Sequence, residues 1–563
     1  MLLANDTRSG GRLLIDCLVA HDVPLMTCVP GESFIAILDA IYELAQVSGN
    51  LLPRLITARH EAAASNMAEA AGKLTGRPAV CFVTRGPGAT HASIAVHTAY
   101  QDGTPMILVI GQVSRGVRGR QAFQEMDYSA VFGSSAKAVV EIQSPDRIAE
   151  HVARAVHTAT SGHPGPVILV IPEDVLTEQT SARLVVAPAV KVPIASLEEI
   201  QGVADRLSRA NRPILIVGGT GWDQAAGDLV ADFAVRHQIP VAAAFRWQDA
   251  IDNRSNAYVG YLGLGCSPRL RKRLSEADLV VALGPRLDDP TTNGFQFPSD
   301  ENCADLVVVN EDVEELCRTV VPDFAVHSGI LGFVQASNGL DIAKNPSRTR
   351  WVETLRQEHE DFYQPTLASS PVDMAPIVRH VREKLPDDAV VTTGAGNYTV
   401  WVQRFLEFRR FRTQLAPRNG AMGYGFPAAV AAAALRPRGK TVAFAGDGCL
   451  LMSGSEFATA VQEQLNVVVI VMNNGMFGTI RMHQETQYEG HVIATTLRNP
   501  DFAAYAESFG AFARVVRRTE EFPAAFSDAL NAPGPALIEV HTDPRQLTPD
   551  SRLKKSASTE GNW

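Results

Sequence analysis

Residues 441–481 read TVAFAGDGCLLMSGSEFATAVQEQLNVVVIVMNNGMFGTIR. An apolar run, Thr441–Ala445, ends in Gly446-Asp447-Gly448, a helix-like stretch follows over Ser453–Leu465, and a second run, Val467–Met472, ends in Asn473-Asn474-Gly475. Uninterrupted runs rich in Val and Ile suit parallel strands buried on both faces. In an open parallel sheet, ligands sit beyond the carboxyl ends of the strands. Asp447 and Asn474, 27 residues apart (474 − 447), are therefore expected to project together from neighbouring strand ends. A carboxylate and an amide oxygen are hard ligands suited to Mg²⁺, which often keeps substrate phosphates in its shell. Gly446 and Gly448 let the backbone approach a phosphate closely. Gly-Asp-Gly alone is also an ordinary strand-to-helix turn; the pairing with Asn474 carries the reading.

The same alternation extends outward through the chain. Ala79–Thr84, Met106–Ile110, Val167–Ile171, Pro213–Val217, Leu279–Leu283, Leu306–Val309, Ala389–Thr393 and Ala536–Val540 are further short apolar runs separated by helix-like stretches. Repeated strand–helix–strand units predict an α/β protein with three doubly wound parallel-sheet domains. Ser181–Pro193, with two prolines, and the polar Ala336–Arg350 read as linkers. They divide the chain into 1–185, 190–340 and 355–545, with a loosely held tail over 546–563. Gly165-Pro166-Val167-Ile168-Leu169-Val170-Ile171 near the end of the first part is echoed by Gly534-Pro535-Ala536-Leu537-Ile538-Glu539-Val540 near the end of the third. That echo is compatible with a duplicated domain or with chance.

Composition narrows the class. With 46% apolar and 20% charged residues among 563, a large core is available and general disorder is excluded. A net charge of −10 argues against nucleic-acid binding. The basic clusters Arg269–Arg273 and Arg409–Arg412 then read as solvated faces or subunit contacts. Seven scattered cysteines with no CxxC pair give no disulfide framework or structural zinc. Residues 1–12 show no signal-peptide pattern, and the longest apolar run, Ala428–Leu435, is too short to span a membrane. A cytoplasmic protein is expected.

Further motifs give the pattern a family. Asp447 and Asn474 at this interval resemble the GDG…NN signature of thiamine diphosphate enzymes. Arg59-His60-Glu61 resembles that family's RHE segment. Thr84-Arg85-Gly86-Pro87-Gly88-Ala89-Thr90 is similar to the TSGPGAT loop of acetolactate (acetohydroxyacid) synthases, with Arg85 where serine is usual. Ala122-Phe123-Gln124-Glu125 matches their AFQE. Gly394–Trp401 and Gly420–Pro427 parallel their GVGQHQMW and GTMGFGLP segments. The resemblance is to the acetolactate synthase-like branch, whose members are transferases and lyases acting on 2-keto acids.

The resemblance implies a pyrimidine-binding first domain, a middle domain, and a third domain that binds the diphosphate and Mg²⁺. It makes Glu61 the acid that activates the cofactor, and Asp447, Asn474 and the Met476 carbonyl the metal ligands. Pro30, Gly396, Asn397, Gly420, Met422, Gly446, Gly448, Cys449, Phe477 and Gly478 would bind the cofactor, with Met422 under its bend. Without the motif, Glu61 reads as a solvated residue at a helix start, and Met422 as core filler. Glu61 and Asp447 would come from different subunits, implying a homodimer or homotetramer.

On the substrate side, the resemblance brings Gln124 and Phe123 toward the reacting carbon and Lys137 toward substrate. Lys137 reads equally as a surface lysine. His483 stands where the synthases carry a substrate-selecting tryptophan; it offers a proton near neutral pH where tryptophan offers a stacking plane. Arg481 could pair a substrate carboxylate or simply end a helix. FAD is an open alternative: Val217–Gly221 resembles a phosphate-approach loop, while in Pro285–Pro290 the last residue replaces the arginine of the synthases' RFDDR run. The expected activity is 2-keto acid decarboxylation with carboligation to a second carbonyl compound. Simple decarboxylation, a non-catalytic thiamine diphosphate-binding protein, and a nicotinamide oxidoreductase are the alternatives; no GxGxxG with a following acidic residue supports the last.

Overall fold

The computed structural model describes residues 7–48, 53–298, 305–340, 342–364 and 370–553. The last ten residues of the expected tail, and Cys303, lie outside them.

Three six-stranded sheets, parallel throughout, stand in sequence. A two-residue strand, β1 (Arg8–Ser9), comes first. The first sheet is built from β2 (Leu25–Cys28), β3 (Arg54–Thr57), β4 (Ala79–Val83), β5 (Met106–Gln112), β6 (Ala138–Glu141) and β7 (Pro166–Pro172). β8 (Gln179–Thr180) then returns to pair antiparallel with β1. The second sheet contains β9 (Pro213–Val217), β10 (Val241–Ala243), β11 (Tyr258–Tyr261), β12 (Leu279–Leu283), β13 (Asp305–Asn310) and β14 (Phe324–His327). The third contains β15 (Val390–Thr393), β16 (Gln414–Leu415), β17 (Thr441–Gly446), β18 (Val468–Asn473), β19 (Phe512–Val516) and β20 (Ala536–His541).

The strand orders are β3-β2-β4-β5-β7-β6 in the first sheet and β16-β15-β17-β18-β20-β19 in the third. Position for position these are one topology. The Gly-Pro echo sits on β7 and β20, which occupy the same place in the two sheets. The middle sheet, β11-β10-β9-β12-β13-β14, has the doubly wound order of dinucleotide-binding folds. Central strands are buried along all or nearly all of their length, as their unbroken apolar runs require; β5 and β7 are buried at every residue. The polar stretch read as a second linker contains the start of a helix, Pro346–Tyr363, capped by Asn345 and packed through Trp351 and Leu355.

The first and third domains of one chain share a core. Helix Glu61–Thr75 lies against helix Gly425–Leu435, and alanines on both allow close approach. Across this contact the Tyr424 hydroxyl donates to Glu69 at 2.5 Å, and Asp102 accepts from Lys73 and from the Arg418 backbone.

Candidate active site

In the third sheet the order reverses between β15 and β17, the point at which ligands enter doubly wound folds. A cavity of about 250 Å³ opens there. Gly396 and Asn397 line it after β15, Gly420 and Met422 before helix Gly425–Leu435, Gly446 at the end of β17 with Asp447, Gly448 and Cys449 just after it, and Asn474, Met476, Phe477 and Gly478 after β18. β17 and β18 run in parallel register with Gly446 opposite Met472, so Asp447 and Asn474 leave adjacent strand ends.

Asp447 is buried and accepts three hydrogen bonds. Its Oδ1 takes the Gly448 N–H at 2.8 Å, and its Oδ2 takes the Gly475 N–H and the Asn499 side chain, each at 2.8 Å. Burial still raises the Asp447 carboxyl above the usual carboxylate range, against those donors. A buried carboxylate with only neutral donors is the setting a divalent cation would balance. The neighbouring loop is shaped for it: Gly475 takes φ +68°, and the Met476 N–H donates to Asn474 Oδ1 at 3.2 Å. A Cβ on Gly448 would meet the Phe477 ring at 2.5 Å, so a side chain here would displace that ring from the site. The residues present fit an oxygen-ligated cation beside a diphosphate.

A second group of sequence-predicted residues gathers at the carboxyl end of the first sheet. Pro30 follows β2, Glu61 follows β3, and the Thr84–Thr90 loop follows β4. A Cβ on Gly88 would lie 3.4 Å from Glu61 Oε1, and one on Gly86 would lie 2.9 Å from Gln124 Cβ. The Arg85 guanidinium donates to the Phe123 carbonyl at 3.1 Å and pairs with Glu173. Gln124 has φ +65°, a rare backbone state for a side chain of this kind, and Phe123 is exposed. Among the described residues, none of the first domain lines the third-domain cavity of its own chain.

Three residues depart from the substrate-facing reading. Lys137 precedes β6, at the opposite end of its sheet from Glu61, and donates to the Ser161 and His163 carbonyls at 2.5 and 2.8 Å. Burial lowers its proton affinity, and it serves as an internal tie. Arg481 is buried and forms an ion pair with Glu485 one helical turn away, at 2.7 Å. His483 lies exposed on helix Gly478–Gln487, outside the cavity lining.

Other residues of the site escape sequence reasoning. Asn499 holds Asp447 from 52 residues away, and only its Asn-Pro turn signal marks it. The Tyr398 hydroxyl accepts from the Gly394 N–H at 2.8 Å, and the Thr479 hydroxyl accepts from the Asn397 N–H at 2.9 Å and donates to the Asn397 side chain at 3.0 Å. His91, the residue after the Thr84–Thr90 motif, touches Glu61 at 2.9 Å.

The middle domain contributes to another cavity, of about 210 Å³, with Gly219, Thr220 and Gly221 on one side and Lys73, Arg412 and Arg418 on others. The lining mixes these cations with the carboxyl groups of Asp249 and Glu311, and Lys73 is paired with Asp102. In the Pro285–Pro290 run, Arg286 is committed to Glu315 through two bonds of 2.8 and 2.6 Å, and Asp288 pairs with Arg418.

Comparison with known proteins follows this division of the chain. Residues 8–131 match the "Thiamine pyrophosphate enzyme, N-terminal TPP binding domain", 200–336 the "central domain", and 394–540 the "C-terminal TPP binding domain" of the same family. The acetolactate synthase large subunit of Parasynechococcus marenigrum (strain WH8102) is 32% identical over 96% of this chain and 88% of its own length. The chain belongs to the thiamine pyrophosphate enzyme family. Within it, the chain is also similar to the acetolactate synthase isozyme 1 large subunit of Escherichia coli (strain K12), 29% identical over 98% of this chain and 97% of that one. The acetolactate synthase of Arthrospira platensis is 30% identical, with 94% of each covered. The three α/β domains are thus those of an acetolactate synthase-like thiamine pyrophosphate enzyme. Among the described residues, no helix is long and apolar enough to cross a membrane.

Proposed function

We propose that the protein is a thiamine diphosphate- and Mg²⁺-dependent carboligase. It decarboxylates a 2-keto acid and joins the remaining fragment to a second carbonyl compound, as the names of its relatives suggest. The observation that carries the reading is the convergence of Asp447, Asn474 and the Met476–Gly478 turn on one cavity at the switch point of the third sheet. When bound, thiamine diphosphate supplies a carbon that accepts the electron pair released as CO₂ leaves. The residues do the rest. Asp447, Asn474 and the Met476 carbonyl hold the cation, and Gly396, Asn397, Gly448 and Cys449 receive the diphosphate. Met422 sets the cofactor's bend, beside Gly420.

Glu61 moves the activating proton, and in this reading it reaches the cavity of a second copy. The support is geometric: among the described residues none of the first domain lines a single chain's cavity, while Glu61 and Gln124 stand beside the same Gly86–Gly88 turn at the end of another sheet. The reading implies a homodimer or homotetramer, and we further propose a cytoplasmic protein with domains at about 1–185, 190–340 and 355–545. FAD is not part of the proposal, because Arg286 is committed to Glu315.

One observation favours a second reading, simple decarboxylation by a lyase of the same family. His483 is a polar, exposed residue where the synthases place a large aromatic surface for the acceptor. Incubation with pyruvate, thiamine diphosphate and Mg²⁺, followed by separate acetolactate and acetaldehyde assays, distinguishes the two. Acetolactate is expected; acetaldehyde alone would favour the lyase. A panel of 2-keto acids with CO₂ detection then defines the substrate.

A further inference from the structure

Glu61 is the first residue of helix Glu61–Thr75, and its two carboxyl oxygens have different surroundings. Oε1 faces the Gly88 turn, where the missing side chain leaves room, while Oε2 lies 2.9 Å from His91 Nδ1. His91 ends the short helix Pro87–His91, which starts at that same turn. Its ring stacks on His60, with centroids 4.5 Å apart and planes 29° from parallel. His60 is itself fixed, since its Nδ1 caps the Glu61 helix by accepting the Ala62 N–H at 3.1 Å.

From this geometry we infer that His91 is a positioning residue that decides which oxygen of Glu61 carries the transferable proton. With Nδ1–H donated to Oε2, that oxygen is an acceptor, and the proton of the neutral acid sits on Oε1. Oε1 is the oxygen left open by the glycine turn. When the acid gives that proton to a nitrogen of the bound cofactor's pyrimidine ring, the O–H bond of Glu61 would break and an N–H bond would form. The carboxylate left behind keeps its hydrogen bond from His91. A charge-assisted bond of this kind is stronger than a neutral one and fixes the side-chain rotamer. The inference rests on the reading of Glu61 as the activating acid.

Two measurements test it. In apo-protein, ¹⁵N NMR of the His91 imidazole is expected to show the proton on Nδ1; an unprotonated Nδ1 overturns the inference. In holo-protein with Mg²⁺ and no keto acid, exchange of the cofactor C2 proton for deuterium is followed by rapid quench. His91→Ala and His91→Phe should each slow exchange about tenfold, with thiamine diphosphate affinity unchanged, and His91→Asn, which keeps a donor, should restore most of the rate. Glu61→Gln separates the two claims. If Glu61→Gln exchanges at the wild-type rate, the reading of Glu61 fails. If Glu61→Gln is silent but all three His91 variants exchange at the wild-type rate, the role of His91 fails alone.

Discussion

The Asn499 side-chain amide donates to Asp447 Oδ2 at 2.8 Å and to Asn473 Oδ1 at 2.9 Å, so one residue aims the carboxylate and braces the loop that presents Asn474. Such supporting contacts are worth about 10- to 100-fold in metal affinity. Asn499→Ala is therefore expected to weaken Mg²⁺-dependent cofactor binding by that factor, measured by titration calorimetry at fixed thiamine diphosphate. Unchanged Mg²⁺ affinity would remove Asn499 from the site.

The hydroxyl of Tyr424 is the partner of Glu69, a carboxyl group with no solvent exposure. Tyr424→Phe leaves that oxygen without its donor, at a cost of about 1–3 kcal/mol. Denaturant unfolding should record the loss.

Asp249, buried between the middle and third domains, accepts the Thr413 and Gln414 N–H groups at 3.0 and 3.1 Å. Burial nevertheless pushes its carboxyl up from 3.8 to about 6. A value raised on folding means that the neutral acid is favoured: its stabilisation is full below about pH 4 and is lost as pH rises through 6. Asp249→Asn imitates the neutral form. It should match the wild type near pH 4 and exceed it at pH 7, by at most about 3 kcal/mol. Parallel pH–stability curves would contradict this.

Purified protein is expected to show no flavin absorption band, while thiamine diphosphate with Mg²⁺ raises its melting temperature. The reason is the closed Arg286–Glu315 pair in the Pro285–Pro290 run. A yellow protein releasing FAD on denaturation would reverse this part of the account.

Much of the fold is legible in the sequence because buried parallel strands are written as unbroken Val- and Ile-rich runs; Pro213–Val217 and Leu279–Leu283 are strands at the expected residues. Short edge strands are not legible: β16 is two residues long and carries no pattern of its own. The third-domain site is readable because its residues stand in glycine-marked turns directly after strands. Asn499 is not readable, since a loop brings it back to Asp447 across 52 residues without a periodic signal. Lys137 shows the opposite error. Residue type and place in a motif suggest a substrate contact, but only the packing shows its ammonium spent on two backbone carbonyls.

The central claim is that one chain's Glu61 serves the cavity built around another chain's Asp447. Glu61→Gln and Asp447→Asn chains, each inactive alone, can be co-expressed with different tags and assayed together. Random pairing places one intact site in each mixed dimer, so about a quarter of wild-type turnover is expected to return. A mixture as inactive as its two parents would contradict the account.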